Sequence, residues 1–393
     1  MSKKNKKIFI SSGGTGGHII PARCLAEELS NSGYEVTFFG DEKYRNYIKP
    51  EDKFKSYIIQ SSQIEKKPLK LAKATFKICI GILQCFSKII KNRPNYVVTF
   101  GGYSTFPILI ASIFTKTEII LHEQNSHLGK VNRIFAKYAK KIALSFAETS
   151  GIDAKFHNKL TFVGNPVRQE IIDLNKVPYQ LPRQDEVKEI QDNKMGYNIL
   201  LASDFKDLET ATNYQDKLFN ILIIGGSGGA KIFSEILPKA FFNLNEELKN
   251  NINIMQQCRK ELVKSTFSQY KSFNLNVEVK AFFSDMPEKI KTAHLIIGRS
   301  GSSSIFEFCA AKKPMILVPF ANSADNHQEK NASFLEKNKA AIVIREEEFT
   351  INKIGEILKD LIGNEKKLQE MSQASNSLAI INATKNLANL VTD

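Results

Sequence analysis

The sequence contains no run of about 20 uninterrupted apolar residues, so it predicts no membrane-spanning helix. It also lacks the cysteine spacing of a metal or redox site, because its five cysteines are odd in number and scattered: Cys24, Cys79, Cys85, Cys258 and Cys309. The start of the chain is basic, but a short strand pattern and a glycine-rich turn follow where a signal peptide would carry its apolar segment. These absences predict a soluble or peripheral protein of a reducing cytoplasm.

Several residue sets that mark particular kinds of catalysis are missing as well. No pair of carboxylates, no Ser-His-Asp set and no cluster of metal-ligating residues stands out. The sequence therefore predicts neither a metal site nor a cofactor. It also lacks a recognisable nucleic-acid-binding motif, which argues against nucleic acid as a partner.

What the chain does contain, twice, is an apolar strand that runs into a glycine-rich turn and then a helix. The first copy is residues 7–10 followed by 11–18, and the second is residues 221–224 followed by 225–230. Glycines allow a tight turn and a close ligand approach, and free N–H groups at a helix start attract phosphate. A plain strand-to-helix turn is the alternative for either copy. Neither copy fits the dinucleotide fingerprint, since His18 follows the first and no acidic residue lies at the expected distance, so a dehydrogenase fits poorly.

Strands and helices alternate along the rest of the chain, which predicts an α/β protein with parallel sheets. A helix is predicted at residues 19–30, and the further predicted strands are residues 35–39, 96–100, 118–121, 252–255, 277–280, 294–297 and 315–318. The length of 393 residues suits two domains.

A proline-bearing turn at residues 164–166 predicts the boundary between these domains. The first domain is then residues 1–165 and the second residues 166–374. A helical stretch at about residues 375–393 can pack back on the first domain. Residues 175–218 are polar and are predicted to form an insertion in the second domain.

Positive charge is concentrated in the first half of the chain. Residues 1–165 carry 26 Lys and Arg against 12 Asp and Glu, whereas residues 166–393 carry 29 of each kind. Residues 66–93 hold eight basic residues and no acidic one, interleaved with apolar residues at helical spacing: Leu69, Ala72, Phe76, Cys79, Ile80 and Leu83. This pattern is typical of a basic amphipathic helix on an anionic membrane surface, or of an ordinary domain helix with its apolar face inward.

Polar residues follow several predicted strands, where an open α/β sheet binds its ligands. Residues 101–104, 122–125 and 325–328 are such runs, and residues 298–304 lead to a helix that carries Glu307. Serines at a helix start can cradle a diphosphate or simply cap the helix, and Glu307 can bind ribose hydroxyls or lie in solvent. His18 can pack or cap, or act as a general base in the cleft. Together these residues indicate phosphate and sugar recognition with one base.

Six runs, in this order, resemble those of a known family across nearly the whole chain: residues 13–18 (GGTGGH), 101–104 (GGYS), 122–125 (HEQN), 164–168 (GNPVR), 225–227 (GGS) and 327–328 (HQ). They resemble the MurG family, the bacterial N-acetylglucosaminyltransferases that act on undecaprenyl-diphospho-muramoylpentapeptide. The resemblance implies a GT-B fold, with two Rossmann-like domains whose parallel sheets face across a cleft. It also implies inverting transfer of N-acetylglucosamine from UDP-N-acetylglucosamine to the C4 hydroxyl of the muramoyl sugar of lipid I, which forms lipid II in peptidoglycan synthesis.

The resemblance also assigns roles to residues. Ser227, Ser302, Ser303 and Ser304 would hold the donor diphosphate with Arg168 nearby, Glu307 would bind the ribose, and the backbone of Phe283 the uracil. Gln328 and Asn125 would contact the N-acetylglucosamine, while Thr15, Gly16 and Gly17 would close over it. His18 is the candidate base. A lipid-linked acceptor places the first domain on the cytoplasmic face of the bacterial inner membrane as a peripheral protein, which favours the membrane interpretation of residues 66–93.

Some positions depart from the family pattern. Asn326 stands where an acidic residue is usual, and Ser302 and Ser303 replace small apolar residues, which affects the expected donor contacts. Three other functions remain open from the residues alone: a UDP-sugar 2-epimerase, a soluble glycosyltransferase with a small acceptor, and a non-catalytic nucleotide-sugar sensor. The epimerase would not need the basic first half or residues 101–104.

Overall fold

The computed structural model describes residues 6–63, 67–182, 218–226 and 228–393. Most of the predicted insertion, residues 183–217, and Ser227 therefore lie outside the described residues. Within them the chain forms two parallel β-sheets flanked by helices, as the alternating pattern predicted.

The first sheet has seven parallel strands in the order β3-β2-β1-β4-β5-β6-β7. Its strands are β1 (Lys7–Ser11), β2 (Glu35–Gly40), β3 (Lys55–Ile58), β4 (Tyr96–Thr99), β5 (Glu118–Glu123), β6 (Ala139–Leu144) and β7 (Leu160–Phe162). The central strand β1 pairs with β2 on one side and β4 on the other, so Ile8 lies between Val36 and Tyr96. Apolar side chains of the central strands are buried on both faces, as expected for a parallel sheet covered by helices.

The second sheet has six parallel strands in the order β10-β9-β8-β11-β12-β13. They are β8 (Phe219–Ile224), β9 (Ile252–Gln257), β10 (Val277–Lys280), β11 (Leu295–Gly298), β12 (Met315–Leu317) and β13 (Ala341–Val343). In each sheet the strand before a glycine-rich turn, β1 or β8, is the point where strand order reverses. The carboxyl ends of these strands are where open α/β sheets leave a crevice for ligands.

The helices of the described residues, numbered in chain order, are α1 (Gly16–Asn31), α2 (Pro68–Asn92), α3 (Phe106–Phe114), α4 (Lys130–Phe135), α5 (Gln169–Leu174), α6 (Lys231–Phe242), α7 (Glu246–Asn250), α8 (Val263–Ser272), α9 (Met286–Thr292), α10 (Ser302–Ala310), α11 (His327–Lys337), α12 (Ile351–Ile362), α13 (Glu365–Ser377) and α14 (Ala383–Thr392). The last of them returns to the first sheet. Leu387 and Val391 of α14 are buried in one cluster with Ile8, Ile19 and Leu25. The domain limits themselves remain a prediction.

Some predicted boundaries were wrong by a few residues. Helix α1 begins at Gly16 rather than residue 19, which places His18 in its first turn. Strand β5 continues through His122 and Glu123, which the sequence assigned to the following loop. Both residues are buried because β4 and β6 flank this strand, and pairing with neighbouring strands is not visible in a local pattern.

Helix α2 has two apolar stripes, and only one of them is buried. Ala74, Ile78, Gly81, Cys85 and Ile89 face the domain, and a Cβ at Gly81 would lie 2.0 Å from the carbonyl oxygen of Gln60. The other stripe is the one noted in the sequence. Leu69 is 89% exposed, Phe76 67% and Leu83 68%. The apolar residues that suggested an inward face therefore point outward, so this helix is not an ordinary domain helix with a fully covered apolar side. No helix of the described residues has the length and hydropathy needed to cross a bilayer.

Candidate active site

The first glycine-rich turn is held tightly by the strands beside it. A Cβ at Gly13 would lie 2.5 Å from Ser104 Oγ and 2.9 Å from Asp41 Cγ, and Gly14 has a φ of 84°. The buried Asp41, which follows β2, accepts the Gly14 N–H at 2.8 Å and the Tyr103 hydroxyl at 3.1 Å. Burial and the Asp41 charge raise the pKa of Tyr103 to about 12, so it remains a donor. The Gly14 N–H is thus already occupied by a carboxylate.

The start of α1 contacts the second domain directly. Thr15 is its N-cap residue and is exposed, and Gly16 and Gly17 form its first turn. The hydroxyl of Ser303, at the start of α10, donates to the carbonyl oxygen of Gly17. The two helix starts that the sequence predicted to face the cleft are therefore in contact with each other.

His18 is half-buried, and its Nδ1 lies 2.8 Å from the Phe100 carbonyl oxygen and 2.9 Å from Gln124 Oε1. Both partners are acceptors, so Nδ1 carries hydrogen, and in the neutral ring Nε2 then carries the lone pair. Within the described residues Nε2 makes no hydrogen bond. A neutral imidazole with a free Nε2 has the form that a general base requires.

Asn125 is oriented by a buried carboxylate. Glu123 accepts hydrogen bonds from the Asn125 backbone N–H (3.0 Å) and Nδ2 (3.1 Å), the Gly129 N–H (2.8 Å) and Asn132 Nδ2 (2.8 Å). The Asn125 Oδ1 is consequently turned toward the second domain, where it accepts from Asn331 Nδ2 at 3.2 Å. Asn125 is thus fixed at the boundary between the domains.

Asn331, on α11, is fully buried and was missed by the sequence reasoning. Its Oδ1 accepts from the Ser126 N–H at 3.0 Å and from the Ser126 hydroxyl at 2.9 Å. Its Nδ2 donates to the Ser300 carbonyl at 3.1 Å as well as to Asn125. The available signal was its position one helical turn after Gln328. Nearby, Arg133 of α4 donates to Asp325 at 2.8 Å, which makes a further ion pair between the domains.

The predicted diphosphate loop occupies the start of α10. Ser302 and Ser303 are buried in its first turn, Ser304 is half-buried, and Gly301 is the N-cap. The Ser300 hydroxyl donates to the Gln328 carbonyl at 2.7 Å, which joins this loop to α11. The N–H groups of the first turn of a helix favour an anion at this position. Ser227, the remaining predicted diphosphate ligand, is outside the described residues.

Arg168 and Glu307 form a bidentate ion pair. Arg168 Nε donates to Glu307 Oε1 at 2.6 Å, and Nη2 donates to Oε2 at 2.7 Å. Glu307 is buried on α10, and Arg168 is the N-cap residue of α5. Burial alone would lower the pKa of Arg168, but the hydrogen bonds and charge of Glu307 raise it above its ordinary value. The sequence reasoning placed these two residues in one site without predicting that they pair.

Gln328 and Phe283 present different groups to the cleft. The Oε1 of Gln328 accepts the Phe320 N–H at 3.0 Å, so its amide nitrogen is the group that can donate to a ligand. The side chain of Phe283 is buried in the second domain beyond β10, so its backbone is the part that can approach a base. Asp325 and Asn326, which precede Gln328, adopt left-handed conformations with φ of 49° and 58°.

Comparison with known proteins gives the same assignment over both halves of the chain. Residues 8–144 match the glycosyltransferase family 28 N-terminal domain, and residues 220–390 match its C-terminal domain. Two relatives share the name "UDP-N-acetylglucosamine--N-acetylmuramyl-(pentapeptide) pyrophosphoryl-undecaprenol N-acetylglucosamine transferase". That of Rickettsia africae (strain ESF-5) is 34% identical over 371 residues, 94% of each chain. That of Wolbachia pipientis wMel is 32% identical over 385 residues, 98% of each chain.

Solved structures agree on the architecture. The crystal structure of Acinetobacter baumannii MurG superimposes with a TM-score of 0.71 at 26% identity and covers 98% of this chain and 99% of its own. The UDP-GlcNAc 2-epimerase of Neisseria meningitidis has a TM-score of 0.65 at 15% identity, covers 98% of this chain and 99% of its own, and shares the fold alone. The fold is therefore GT-B. On this combination of two family domains, full-length relatives and a common fold, the chain belongs to the MurG family within glycosyltransferase family 28.

Proposed function

We propose that the cleft between the two sheets is the active site of N-acetylglucosamine transfer. As a member of the MurG family, the chain is a UDP-N-acetylglucosamine-dependent glycosyltransferase that converts lipid I to lipid II in peptidoglycan synthesis. The observation that supports this location best is the contact between Ser303 and Gly17. It brings a helix start suited to the donor diphosphate against the helix start that carries His18.

On the donor side, the first turn of α10 receives the diphosphate. Ser302 and Ser304 supply N–H and hydroxyl donors there, and Ser303 supplies its N–H, since its hydroxyl donates to Gly17. The family resemblance assigns Ser227 to the same diphosphate. The backbone at Phe283 contacts the uracil edge. Gln328, through its free amide nitrogen, and Asn125 contact the sugar, while Thr15, Gly16 and Gly17 cover it. Since Asn331 and Glu123 engage Asn125, this residue is held in place before the donor arrives.

Glu307 and Arg168 exchange partners when the donor binds. In the structure each carboxylate oxygen of Glu307 accepts one hydrogen bond from Arg168. Ribose hydroxyls that donate to Glu307 weaken its hold on the guanidinium, which is then available to the diphosphate. Arg168 and the start of α10 stabilise the negative charge that develops on the departing UDP.

His18 acts as the base toward the acceptor. Its Nε2 takes the proton of the muramoyl C4 hydroxyl as the oxygen attacks the anomeric carbon. The bond from that carbon to the UDP oxygen breaks, and UDP leaves with the electron pair. One displacement of this kind inverts the anomeric configuration.

Helix α2 is the surface that binds the anionic membrane, on the cytoplasmic face of the inner membrane. Its exposed Leu69, Phe76 and Leu83 lie in a segment, residues 66–93, with eight basic residues and no acidic one. Apolar side chains that insert at the headgroup boundary, combined with basic residues that attract anionic lipids, are the two parts of an interfacial helix.

The membrane proposal is tested by cosedimentation with vesicles of phosphatidylglycerol and phosphatidylcholine. The double variant Phe76→Ser with Leu83→Ser is expected to lose about tenfold in affinity for the vesicles. Each change removes an apolar side chain that the bilayer would bury. Phe267→Ser, an exposed phenylalanine on α8 of the second domain, is the matched control. Equal binding by all three proteins would contradict the assignment of α2.

The active-site proposal is tested by transfer of radiolabelled N-acetylglucosamine from its UDP donor to a lipid I analogue. His18→Ala is expected to lower kcat by about 10²- to 10⁴-fold, as for loss of a general base. His157→Ala changes an exposed histidine outside the cleft and serves as the control. A His18→Ala enzyme as active as this control would remove His18 from the reaction.

A further inference from the structure

A buried histidine lies behind His18 and has no role in the transfer described above. His122 is fully buried in β5, and its ring packs on Phe100 with centroids 4.7 Å apart. Gln124 is nearly as buried and lies two positions along the chain. Because alternate residues of a strand face the same side, both side chains are directed toward His18.

The three side chains form a continuous chain of hydrogen bonds. His18 Nδ1 is 2.9 Å from Gln124 Oε1, Gln124 Nε2 is 3.1 Å from His122 Nδ1, and His122 Nε2 is 3.3 Å from the Gly164 carbonyl oxygen. The Phe100 carbonyl oxygen also faces His18 Nδ1, at 2.8 Å. A backbone carbonyl therefore stands at each end of the chain.

These two carbonyls determine every proton in the chain. A carbonyl only accepts, so His18 Nδ1 carries hydrogen and the Gln124 atom facing it is the oxygen. The Gln124 amide nitrogen then donates to His122 Nδ1, which carries a lone pair. His122 Nε2 consequently carries hydrogen and donates to Gly164. The opposite arrangement would set a lone pair of His18 against the Phe100 carbonyl.

The buried His122 is electrically neutral at neutral pH. Burial lowers the pKa of His122 to about 4, assisted by the charge that His18 would carry and opposed by the hydrogen bond to Gly164. The nearest carboxylate in sequence, Glu123, is directed away, with its oxygens used by Asn125, Gly129 and Asn132. His18 is therefore oriented without the carboxylate that often accompanies a catalytic histidine.

The far end of the chain is anchored where the polypeptide leaves the first sheet. Gly164 follows β7 and has a φ of +86°, and a Cβ there would lie 2.6 Å from Ile380 and 2.9 Å from Ala383. Its carbonyl is thus fixed between the first sheet and the returning C-terminal segment, which provides a rigid attachment point.

We propose that Gln124 and His122 are positioning residues, forming a hydrogen-bonded relay that ties His18 to the backbone and keeps the Nε2 of its neutral form free of hydrogen and directed at the acceptor. The inference rests on the proposed role of His18 as the base. It adds that the tautomer of His18 is set in the free enzyme, before any substrate binds.

The first test reads the tautomer directly. The wild-type enzyme, labelled with ¹⁵N-histidine, has six histidine side chains, and His18→Gln identifies the His18 signals. We expect the neutral His18 ring to carry hydrogen on Nδ1, with His122 in the Nε2–H form. An Nε2–H form of His18, or rapid exchange between both forms, would overturn the relay even if the enzyme transfers sugar normally.

The second test removes the middle of the relay. Gln124→Met keeps the side-chain length but cannot hydrogen-bond, so only the Phe100 carbonyl still accepts from His18 Nδ1. We expect kcat to fall about tenfold, an unchanged donor KM and a minor Nε2–H form of His18 that the wild type lacks. Gln124→Glu places a carboxylate beside His18, which should move the acid limb of the kcat/KM profile to higher pH because the charge favours the imidazolium. His122, on the other side of Gln124, is the second titratable group near His18 that can affect this profile.

Gln373→Met and Gln373→Glu, at an exposed position of α13, make the same changes away from the cleft. Unchanged tautomer and kcat in Gln124→Met would contradict the proposal. If the wild-type enzyme failed to transfer sugar, the proposed function would fail, while the tautomer measurement would still decide the relay.

Discussion

The two glycine-rich turns share one strand-turn-helix construction but differ in what their backbone meets. In the first turn, Gly14 donates to the buried Asp41 carboxylate, and Gly13 has no room for a side chain. In the second turn, a Cβ at Gly226 or Gly228 would have no neighbour within 4 Å. Gly225 and Gly229 of the second turn are crowded, since a Cβ there would lie 2.2 Å from the Ala230 nitrogen and 2.7 Å from the Arg259 nitrogen. One motif therefore gives an anion-lined turn in the first domain and, in the second, a turn that is open at Gly226 and Gly228. A glycine-rich pattern therefore predicts a turn, whereas the residues around the turn determine whether it suits a phosphate.

Acidification is expected to have the largest effect on the free energy of unfolding. It acts through one buried histidine in each domain, so the two contributions can be distinguished. Burial lowers the pKa of His122 to about 4, and burial with the charge of Lys313 lowers that of His294 to about 3. In the unfolded chain both titrate near 6.5, so the unfolded state binds more protons as the pH falls. Stability present above pH 6.5 is therefore lost toward pH 4, by about 1.4 kcal/mol per pH unit for each histidine.

Urea unfolding at pH 7.5, 6, 5 and 4.5 measures this loss. His122 lies in β5 and is linked to His18 through Gln124, whereas His294 immediately precedes β11, at the end of the second sheet opposite the cleft. His122→Asn should therefore flatten the pH dependence and alter the cleft, and His294→Asn should flatten it without altering the cleft. A pH-independent unfolding midpoint in the wild type would show that neither histidine is buried as described.

Adding one methyl group to each turn tests the comparison directly. Gly13→Ala should destabilise the protein by about 2 kcal/mol, because the new Cβ meets Ser104 and Asp41. Gly228→Ala, at an open position of the second turn, should change stability by less than about 0.5 kcal/mol. Thermal unfolding of both variants provides the measurement. Equal losses would mean that the two turns are equally packed.

The sequence predicted the two parallel sheets well because each buried strand is a short apolar run. It missed β3, β6, β7 and β13. Of these, β3 reads KSYI and β6 starts with Ala139, Lys140 and Lys141, so neither shows a continuous apolar run. Both segments become strands by pairing with neighbouring strands, and a local sequence pattern does not show this pairing.

The parts of the candidate site that could be predicted are those formed by residues adjacent in the sequence. The starts of α1 and α10 were identified from glycine, serine and the strand before them. Asn331 and the pairing of Arg168 with Glu307 were not, because their partners lie 205 and 139 positions away. Asn331 contacts the first domain, and Arg168 with Glu307 joins two distant segments of the second domain. Neither contact is visible in the local spacing of residues.

Removal of the Glu307 charge tests whether the second domain binds the ribose of the donor. Glu307→Gln should raise the donor KM about tenfold and change kcat little, since ribose contacts act on ground and transition states alike. Glu356→Gln, on the exposed face of α12, is the control. Steady-state kinetics at saturating acceptor separate the two constants. A donor KM equal to that of the control would remove Glu307 from the ribose role.

The smallest expected effect comes from neutralising the carboxylate of the first turn. Asp41→Asn keeps an oxygen that can accept the Gly14 N–H, so the turn should retain its shape while losing its negative charge. The lipid-linked acceptor carries a diphosphate and is expected on the first domain, so a less anionic first turn should repel it less. This predicts a KM for the lipid I analogue about threefold lower and an unchanged donor KM. Glu42→Gln, at the neighbouring exposed position, removes the same charge without touching the turn. If both variants lowered the acceptor KM equally, general surface charge rather than the buried carboxylate would set the anion preference of the first turn.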